Sequence, residues 1–448
     1  MNLVKGFPFP IGRSTDPTTI PDQTNQWGPR VGFSWDPWND GKTAVRGFTG
    51  LYYARTPMLL LAGPINNYRV PAGDLSTTLP FRDPKGVNNT IYQQLKLIGI
   101  DLNTTPLDRL PNVTPEQIQA IAAALGLTPN PFVGAAPLSM ANDYENPKAT
   151  QFGLGVEHEI VKGLSLGVEG LYVKTDNLQR NLNLNLPAPT LRSTTVDPAQ
   201  RPFFGIPAGV ARPITQLSNV TLRESTARSR YKALAFSARL QKKRGQLSGY
   251  YVVSKSQSND DNERDAGGFT YENAFNLGPE YNYANLDRRH QVNGNLVVFL
   301  PWHFDFASGF QFRSGRPFDA RLGRDANGDT NNLDRPYSAP GVPFKRNAFR
   351  NFSEKNVDVR LQKTFTVAGK HQVIVSAEAF NVFGFDNVLL GTGTTFVNYC
   401  ANVNDPTCGF SGPTNPTFAQ VKGADGKYLA GTNPGPPRQW QLGLRYRF

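Results

Sequence analysis

The sequence contains few of the residues from which metal sites and membrane-spanning helices are built. Its 448 residues include only two cysteines and four histidines, and their spacing matches no metal-ligand pattern. No phosphate-binding glycine-rich loop is present. Apolar runs, such as those at 58–61 and 296–300, are far shorter than the ~20 residues that a spanning helix needs. The sequence therefore excludes a transmembrane helix and offers little for a metalloenzyme.

Glycine (42), proline (36), phenylalanine (29) and tyrosine (16) are plentiful, and the net charge is +12. This composition suits short strands, turns and aromatic belts. The positive charge has two interpretations, solubility of long loops or contact with an anionic surface such as lipopolysaccharide. We favour solubility and expect no nucleic-acid partner, because the interleaved basic and aromatic module of nucleic-acid binders is missing.

Eleven segments alternate apolar and polar side chains with the period of two that predicts β-strands. Some alternate poorly, as in 290–300, where Val297 and Phe299 fall on the otherwise polar side. In the last of them, residues 439–448, one face carries two leucines and three aromatic side chains. The other segments lie near 30–35, 42–53, 151–160, 164–175, 231–241, 246–255, 290–300, 304–313, 357–365 and 371–383. One face of each strand would suit lipid and the other water, as in a transmembrane β-barrel.

The connections between these segments alternate strictly between short and long. The short ones are 36–41, 161–163, 242–245, 301–303 and 368–370, and the long ones are 54–149, 176–230, 256–289, 313–355 and 384–438. Membrane barrels carry tight periplasmic turns on one rim and large extracellular loops on the other. With the tight turns in the periplasm, the last strand runs towards the periplasm and ends there at Phe448.

The first long loop contains a predicted short helix. Thr114 suits its N-cap and Gly126 can end it. Ile118, Ile121 and Leu125 share one face of this helix. We expect that face to pack within the loop rather than to bind a partner.

Six short motifs follow one another along the chain. They are Gly28-Pro29-Arg30-Val31-Gly32-Phe33, Asp40-Gly41-Lys42-Thr43-Ala44-Val45-Arg46-Gly47, Asp287-Arg288-Arg289-His290, Ser314-Gly315-Arg316-Pro317, Glu378-Ala379-Phe380-Asn381-Val382-Phe383, and the ending at 437–448. Each motif is weak alone. Their order and spacing together resemble TonB-dependent receptors of the Oar-like group, over most of the chain from about residue 26 onward.

This resemblance implies a 22-stranded barrel filled by an N-terminal plug. Residues 30–448 would form the C-terminal half of that barrel, and residues 1–29 an irregular leader. No plug, TonB box or signal peptide is visible, so we expect a missing natural N-terminus and contact with the TonB complex only through the missing plug. Because an odd number of strands cannot easily close, we expect an open half-barrel or one closed by poor pairing.

The end of the chain resembles the signal that the barrel assembly machinery reads. The residues concerned are Leu442, Leu444, Tyr446 and Phe448. A simpler interpretation places Phe448 in the lower aromatic girdle of the barrel. The two roles are compatible, and we expect both.

Asp325, Asn327 and Asp329, followed by Asp334, place oxygen ligands at every second position. Such spacing lets one loop direct several oxygens at a hard cation such as Ca²⁺. The glycine does not occupy the EF-hand position and the glutamate at position 12 is missing, so a solvated turn is the alternative. No other cofactor is expected.

Cys400 and Cys408 lie in one predicted extracellular loop. In an oxidising compartment their proximity predicts a local disulfide. Two free thiols are the alternative for a chain made in the cytosol.

Charged side chains on the polar faces of the predicted strands would line the lumen. They are Glu157, Glu159, Glu169, Arg239, Arg360, Glu378, Arg445 and Arg447. In a complete transporter such residues contact the plug or the passing solute. The simpler interpretation is hydration of a polar interior.

Asp287 and His290, near the predicted extracellular rim, are the one pair weighed for catalysis. No nucleophile is evident beside them, so we expect a structural role and no enzyme. The sequence thus predicts an antiparallel transmembrane β-barrel of the outer membrane, in contact with lipid and lipopolysaccharide, that binds and takes up an unknown solute. A passive porin or a surface adhesion barrel without a plug is the alternative.

Overall fold

Eleven strands form one antiparallel sheet in chain order. The computed structural model describes residues 3–16, 19–58, 136–261, 268–367, 369–390 and 396–448, with scattered positions between 60 and 123. The strands are β1 (Arg30–Trp35), β2 (Thr43–Tyr53), β3 (Lys148–Val161), β4 (Leu164–Asn183), β5 (Thr221–Lys242), β6 (Gly245–Ser258), β7 (His290–Leu300), β8 (Phe304–Arg313), β9 (Glu354–Val367), β10 (His371–Phe380) and β11 (Gln439–Arg447). The predicted number of strands and the all-β antiparallel fold are confirmed.

Several shorter elements lie in the long connections. Leu138–Met140 pairs in parallel with β5, and Asn282–Tyr283 pairs with the end of β6. Two-stranded ribbons join Thr190–Leu191 to Pro202–Phe203, Pro317–Phe318 to Phe349–Arg350, Tyr337–Ala339 to Val342–Pro343, and Leu389–Leu390 to Thr432–Asn433. Single 3₁₀ turns occupy Ile206–Ala208, Gly278–Glu280 and Pro301–His303. No helix among the described residues is long and apolar enough to cross a membrane.

Two strands continue well beyond their predicted ends. β4 extends to Asn183 and β5 begins at Thr221, so part of the predicted loop 176–230 is strand. The cause is a second stretch of alternation, in which Asn181, Asn183 and Asn185 alternate with leucines. These leucines and asparagines are all buried, so this part of the sheet is covered by loops rather than by lipid.

The strand register separates apolar from polar side chains. Val168 lies opposite Phe236, and its sequence neighbour Glu169 lies opposite Ala235. Directly opposite residues share a face, so this pattern divides the sheet into an apolar and a polar wall. Leu442 and Leu444 on the apolar wall are 84% and 78% exposed. Such a continuous apolar surface requires lipid or another apolar cover.

The sheet is open at both edges. Among the described residues, β1 pairs only with β2, and β11 pairs only with β10. This agrees with the open half-barrel expected from an odd number of strands.

The largest apolar core lies in the long connections, which pack into an ordered loop layer. Leu184, Leu186, Phe204 and Val220 are at most 1% exposed within it. Residues 3–16 join this layer, and Phe9 is buried in the same core. The loop layer therefore has a buried core of its own, which is able to hold side chains in fixed positions.

The start of the predicted helix in the first long loop is confirmed. The backbone N–H of Gln117 donates to Thr114 Oγ1 (3.3 Å), and the N–H of Thr114 donates to Gln117 Oε1 (2.8 Å). This reciprocal pair is a capping box. Ile118, Ile121, Leu125 and Gly126, which define the predicted apolar face and end, lie outside the described residues.

Candidate functional site

The eight charged residues predicted to line the lumen lie on one face of the sheet. Glu159 lies opposite Ser165, which lies opposite Arg239 on the next strand. Arg360 lies opposite Glu378, which lies opposite Gln441 on β11. The strand register places the remaining members on the same face: Glu157, Glu169, Arg445 and Arg447. The register therefore brings these residues to a common polar wall.

Side chains on the polar wall connect neighbouring strands. Arg360 Nε lies 3.1 Å from Glu378 Oε1, and its Nη2 donates to Gln362 Oε1 (2.7 Å). Gln362 Nε2 in turn donates to Asp305 Oδ2 (3.2 Å). The contacts link β8, β9 and β10 in one polar chain. Half-exposed groups of this kind orient one another while they stay accessible to water or solute.

A cavity of about 650 Å³ opens on the polar wall between β1 and β6. Gly153, Gly155 and Gly167 form part of its floor, and Arg46 and Glu157 line it. The ring of Phe48 covers Gly153 so closely that a Cβ there would overlap the ring. Glycine thus leaves room for a concave surface that carries both aromatic and charged groups.

A buried ionic network holds the loop layer together. Arg335 forms ion pairs with Glu280 and, at 3.8 Å, with Glu272. Arg346 Nη1 donates to Asp261 Oδ2 (2.7 Å), and its Nη2 donates to the carbonyl of Ser258 (2.6 Å). Four of these five side chains are at least nine-tenths buried, and the exception is Asp261, which is 20% exposed. The network therefore fixes the loop 313–355 against the loop 256–289.

The sequence did not predict this network, because its partners are far apart in the chain. Arg346 and Asp261 are separated by 85 residues. The signal that could have pointed to an ordered layer is the alternating Asn–Leu run at 181–186. Within that run, the side-chain amide of Asn185 donates to the carbonyls of Ile214, Leu217 and Ser218.

Burial changes the protonation of acidic groups in the loop layer. It raises the pKa of Glu272 to about 7, although Arg335 acts in the opposite direction. Burial likewise raises the pKa of Asp329 to about 7 and that of Asp334 well above its usual range. A carboxyl with a pKa near 7 changes its charge in the neutral pH range.

The carboxylates of the proposed calcium loop accept backbone hydrogen bonds. Asp325 accepts from Gly328 (2.6 Å) and Thr330 (2.8 Å), and Asp334 Oδ2 accepts from Ala326 (2.5 Å). Asp329 accepts from the N–H of Asn331, and Asn327 Oδ1 from that of Asp329. The bonds that Asn327 and Asp329 accept from the residue two positions further on form turns of the Asx type. Among the described residues, no three acidic, histidine or cysteine side chains converge in a metal-binding group. Calcium binding stays a prediction.

Cys400 and Cys408 form a disulfide, with their Cα atoms 5.5 Å apart. Both are buried in a small core with Leu322 and Ala326. The carbonyl of Cys408 also accepts a hydrogen bond from Arg201 Nη2 (3.3 Å). The disulfide closes a turn within the last long loop, and the contacts of its cysteines with Leu322 and Arg201 join this loop to two earlier ones.

Asp287 and His290 have separate partners. Asp287 is buried, accepts a hydrogen bond from the backbone N–H of Ser256 (2.5 Å) and pairs with Arg350. His290 stacks on Tyr251, whose hydroxyl lies 2.8 Å from His290 Nδ1. This arrangement fits the structural role that was expected for both residues.

The C-terminal residues continue the apolar wall. Tyr446 stacks on His371, and its hydroxyl lies 2.6 Å from His371 Nδ1. Phe448 is 91% exposed at the end of the wall. This position suits a lower aromatic girdle, and the assembly role stays a prediction.

Comparison with protein families identifies the fold. A family described as "Outer membrane beta barrel domain" matches residues 5–347. The chain belongs to this family. It is therefore an outer-membrane protein, and its apolar wall is the lipid-facing one. No curated protein matches the sequence.

Several solved structures match the chain. The siderophore receptor PirA from Acinetobacter baumannii has a TM-score of 0.44 at 11% identity, and the match covers 94% of this chain and 41% of that one. The outer membrane transporter YddB from Escherichia coli has a TM-score of 0.43 at 12% identity, over 93% and 40%. The chain thus spans about two fifths of the length of these proteins.

Proposed function

We propose that the chain is the C-terminal half of the barrel of a TonB-dependent transporter of the Oar-like group, which binds a solute and takes it up across the outer membrane. The main support is the organisation of the sheet. Eleven antiparallel strands carry all tight turns on one rim and a folded loop layer on the other. The motif order from about residue 26 onward supports the group.

In this proposal the polar wall guides the solute and contacts the plug. The cavity beside Arg46 and Glu157 offers charged and aromatic groups on a concave surface. A plug and a TonB box would lie in sequence that precedes this chain. TonB would act on the barrel through that segment alone.

The gene sequence upstream of this chain and an uptake assay with the complete protein test the proposal. The upstream reading frame should encode a plug, and uptake by the complete protein should cease in a host that lacks TonB. A frame without a plug, together with steady conductance of the purified protein in planar bilayers, would instead support a passive porin or adhesion barrel.

We further propose that the protein is not an enzyme. The separate partners of Asp287 and His290 support this proposal. Phospholipid hydrolysis by the purified protein that disappears in His290→Ala would refute it.

A further inference from the structure

Four basic residues form a patch at the upper border of the lipid-facing wall. On β5 the wall carries Leu240, Ala238, Phe236 and Leu234 in order, followed by Lys232 and Arg230. On β4 it carries leucines and Val168 before Lys174, and on β6 Val253 precedes Lys255. All four cations lie towards the long loops. We call Lys174, Arg230, Lys232 and Lys255 the basic patch.

The register places like charges of the basic patch directly opposite each other. Lys174 lies opposite Arg230 across β4 and β5, and Lys232 lies opposite Lys255 across β5 and β6. Like charges in directly opposite positions destabilise a sheet. Two such pairs side by side require a source of negative charge.

The described residues supply little of that negative charge. Lys174 forms an ion pair with Asp176 at 2.7 Å. No ion pair within the described part of the chain includes Arg230, Lys232 or Lys255. Lys232 and Lys255 instead lie near the rings of Tyr172 (5.8 Å) and Tyr283 (5.6 Å). These rings hold the ammonium groups at the border of the wall.

We propose that the basic patch binds the phosphorylated headgroup of an outer-leaflet lipid. The apolar residues below the patch cover acyl chains, and the cations lie where the headgroup phosphates of the same lipid would be. A headgroup with two phosphates neutralises both like-charge pairs at once. A free anion lacks acyl chains and would gain nothing from the apolar wall below.

The test uses the full chain folded in detergent micelles, with diphosphorylated lipid A as the probe. The triple variant R230Q/K232Q/K255Q removes three charges from the patch. The matched control K242Q/K243Q/R244Q removes three charges at the β5–β6 turn, on the opposite rim. The folded state of each variant is checked by its heat-dependent gel mobility.

We expect the patch variant to bind lipid A on the order of 100-fold more weakly at low salt, since each of the three cations removed contributes about a factor of five near an anionic lipid surface. The control should bind as the unchanged protein does. Equal losses in both variants, no loss in the patch variant, or equal binding of lipid A stripped of phosphate would overturn the proposal. Equal displacement by inorganic phosphate at the lipid's concentration would overturn the choice of a lipid.

Discussion

At the residue scale, the loop layer depends on charges that are buried in pairs. Arg335 is 3% exposed and lies between Glu272 and Glu280. Arg335→Met would leave two buried carboxyls without their cation, so we expect a loss of about 3–5 kcal/mol in loop-layer stability. The exposed Arg321→Met is the control, with a change within about 0.5 kcal/mol. Hydrogen exchange of the loops measures both, and equal protection in the two variants would contradict the prediction.

Asp329 makes the loop layer sensitive to pH. Its pKa rises from 3.8 to about 7 in the folded protein, so the folded state binds more protons than the unfolded state between these values. Stability should therefore fall as pH rises from about 4 to 7, by at most about 4 kcal/mol, and stay level above. Asp329→Asn should remove the part of this decline that Asp329 causes and leave the part that Glu272 causes, because the pKa of Glu272 also rises to about 7. An unchanged pH profile of loop exchange in the variant would show that another group is responsible.

If the loop at 325–334 binds calcium, the ion should stabilise the loop layer at high pH, where ionisation of Asp329 destabilises it. Calcium binds the ionised carboxylate, so it should restore loop protection at pH 8 in the unchanged protein and have no effect in Asp329→Asn. Calorimetric titration measures the binding directly. An absence of heat at pH 8 would refute calcium binding by residues 325–334.

At the element scale, close contact between glycines and aromatic rings shapes the lipid-facing wall. The ring of Phe310 on β8 covers Gly294 on β7, and a Cβ at Gly294 would overlap it. Gly294→Ala should therefore lower the free energy of unfolding by about 1–3 kcal/mol. Gly309→Ala is the control, because its nearest contact would be 3.6 Å away. The midpoints of urea unfolding in micelles should differ between the two variants, and coinciding midpoints would count against the account.

The strands could be predicted from the sequence, whereas the loop layer could not. Alternation along β8 and β1 is a local pattern, which arises because one wall contacts lipid and the other contacts water. It therefore predicted the ends of both strands to the residue. The loop layer is held by distant contacts, such as that of Arg201 with the carbonyl of Cys408, 207 residues away. Such contacts leave no periodic pattern. The charged residues of the polar wall could be predicted from alternation, but their pairing, as of Arg360 with Glu378, follows only from register.

At the scale of the whole molecule, the C-terminal residue is predicted to govern assembly. Phe448→Ser should lower the amount of protein folded in the outer membrane several-fold, because the assembly machinery would lose its terminal aromatic contact. Leu191→Ser, an exposed apolar residue of the loop layer, is the control. The heat-modifiable fraction in outer-membrane preparations measures both. Equal levels of the two variants would leave Phe448 with a role in the aromatic girdle alone.

The central claim is that alternate side chains of each strand contact lipid and water. Spin labels on single cysteines along β9, in a chain with Cys400 and Cys408 replaced by alanine, test it most directly. At 357, 359 and 361 the label should be accessible to oxygen, which concentrates in lipid, and at 358, 360 and 362 to a water-soluble nickel complex. Accessibility that fails to alternate with a period of two would contradict the account.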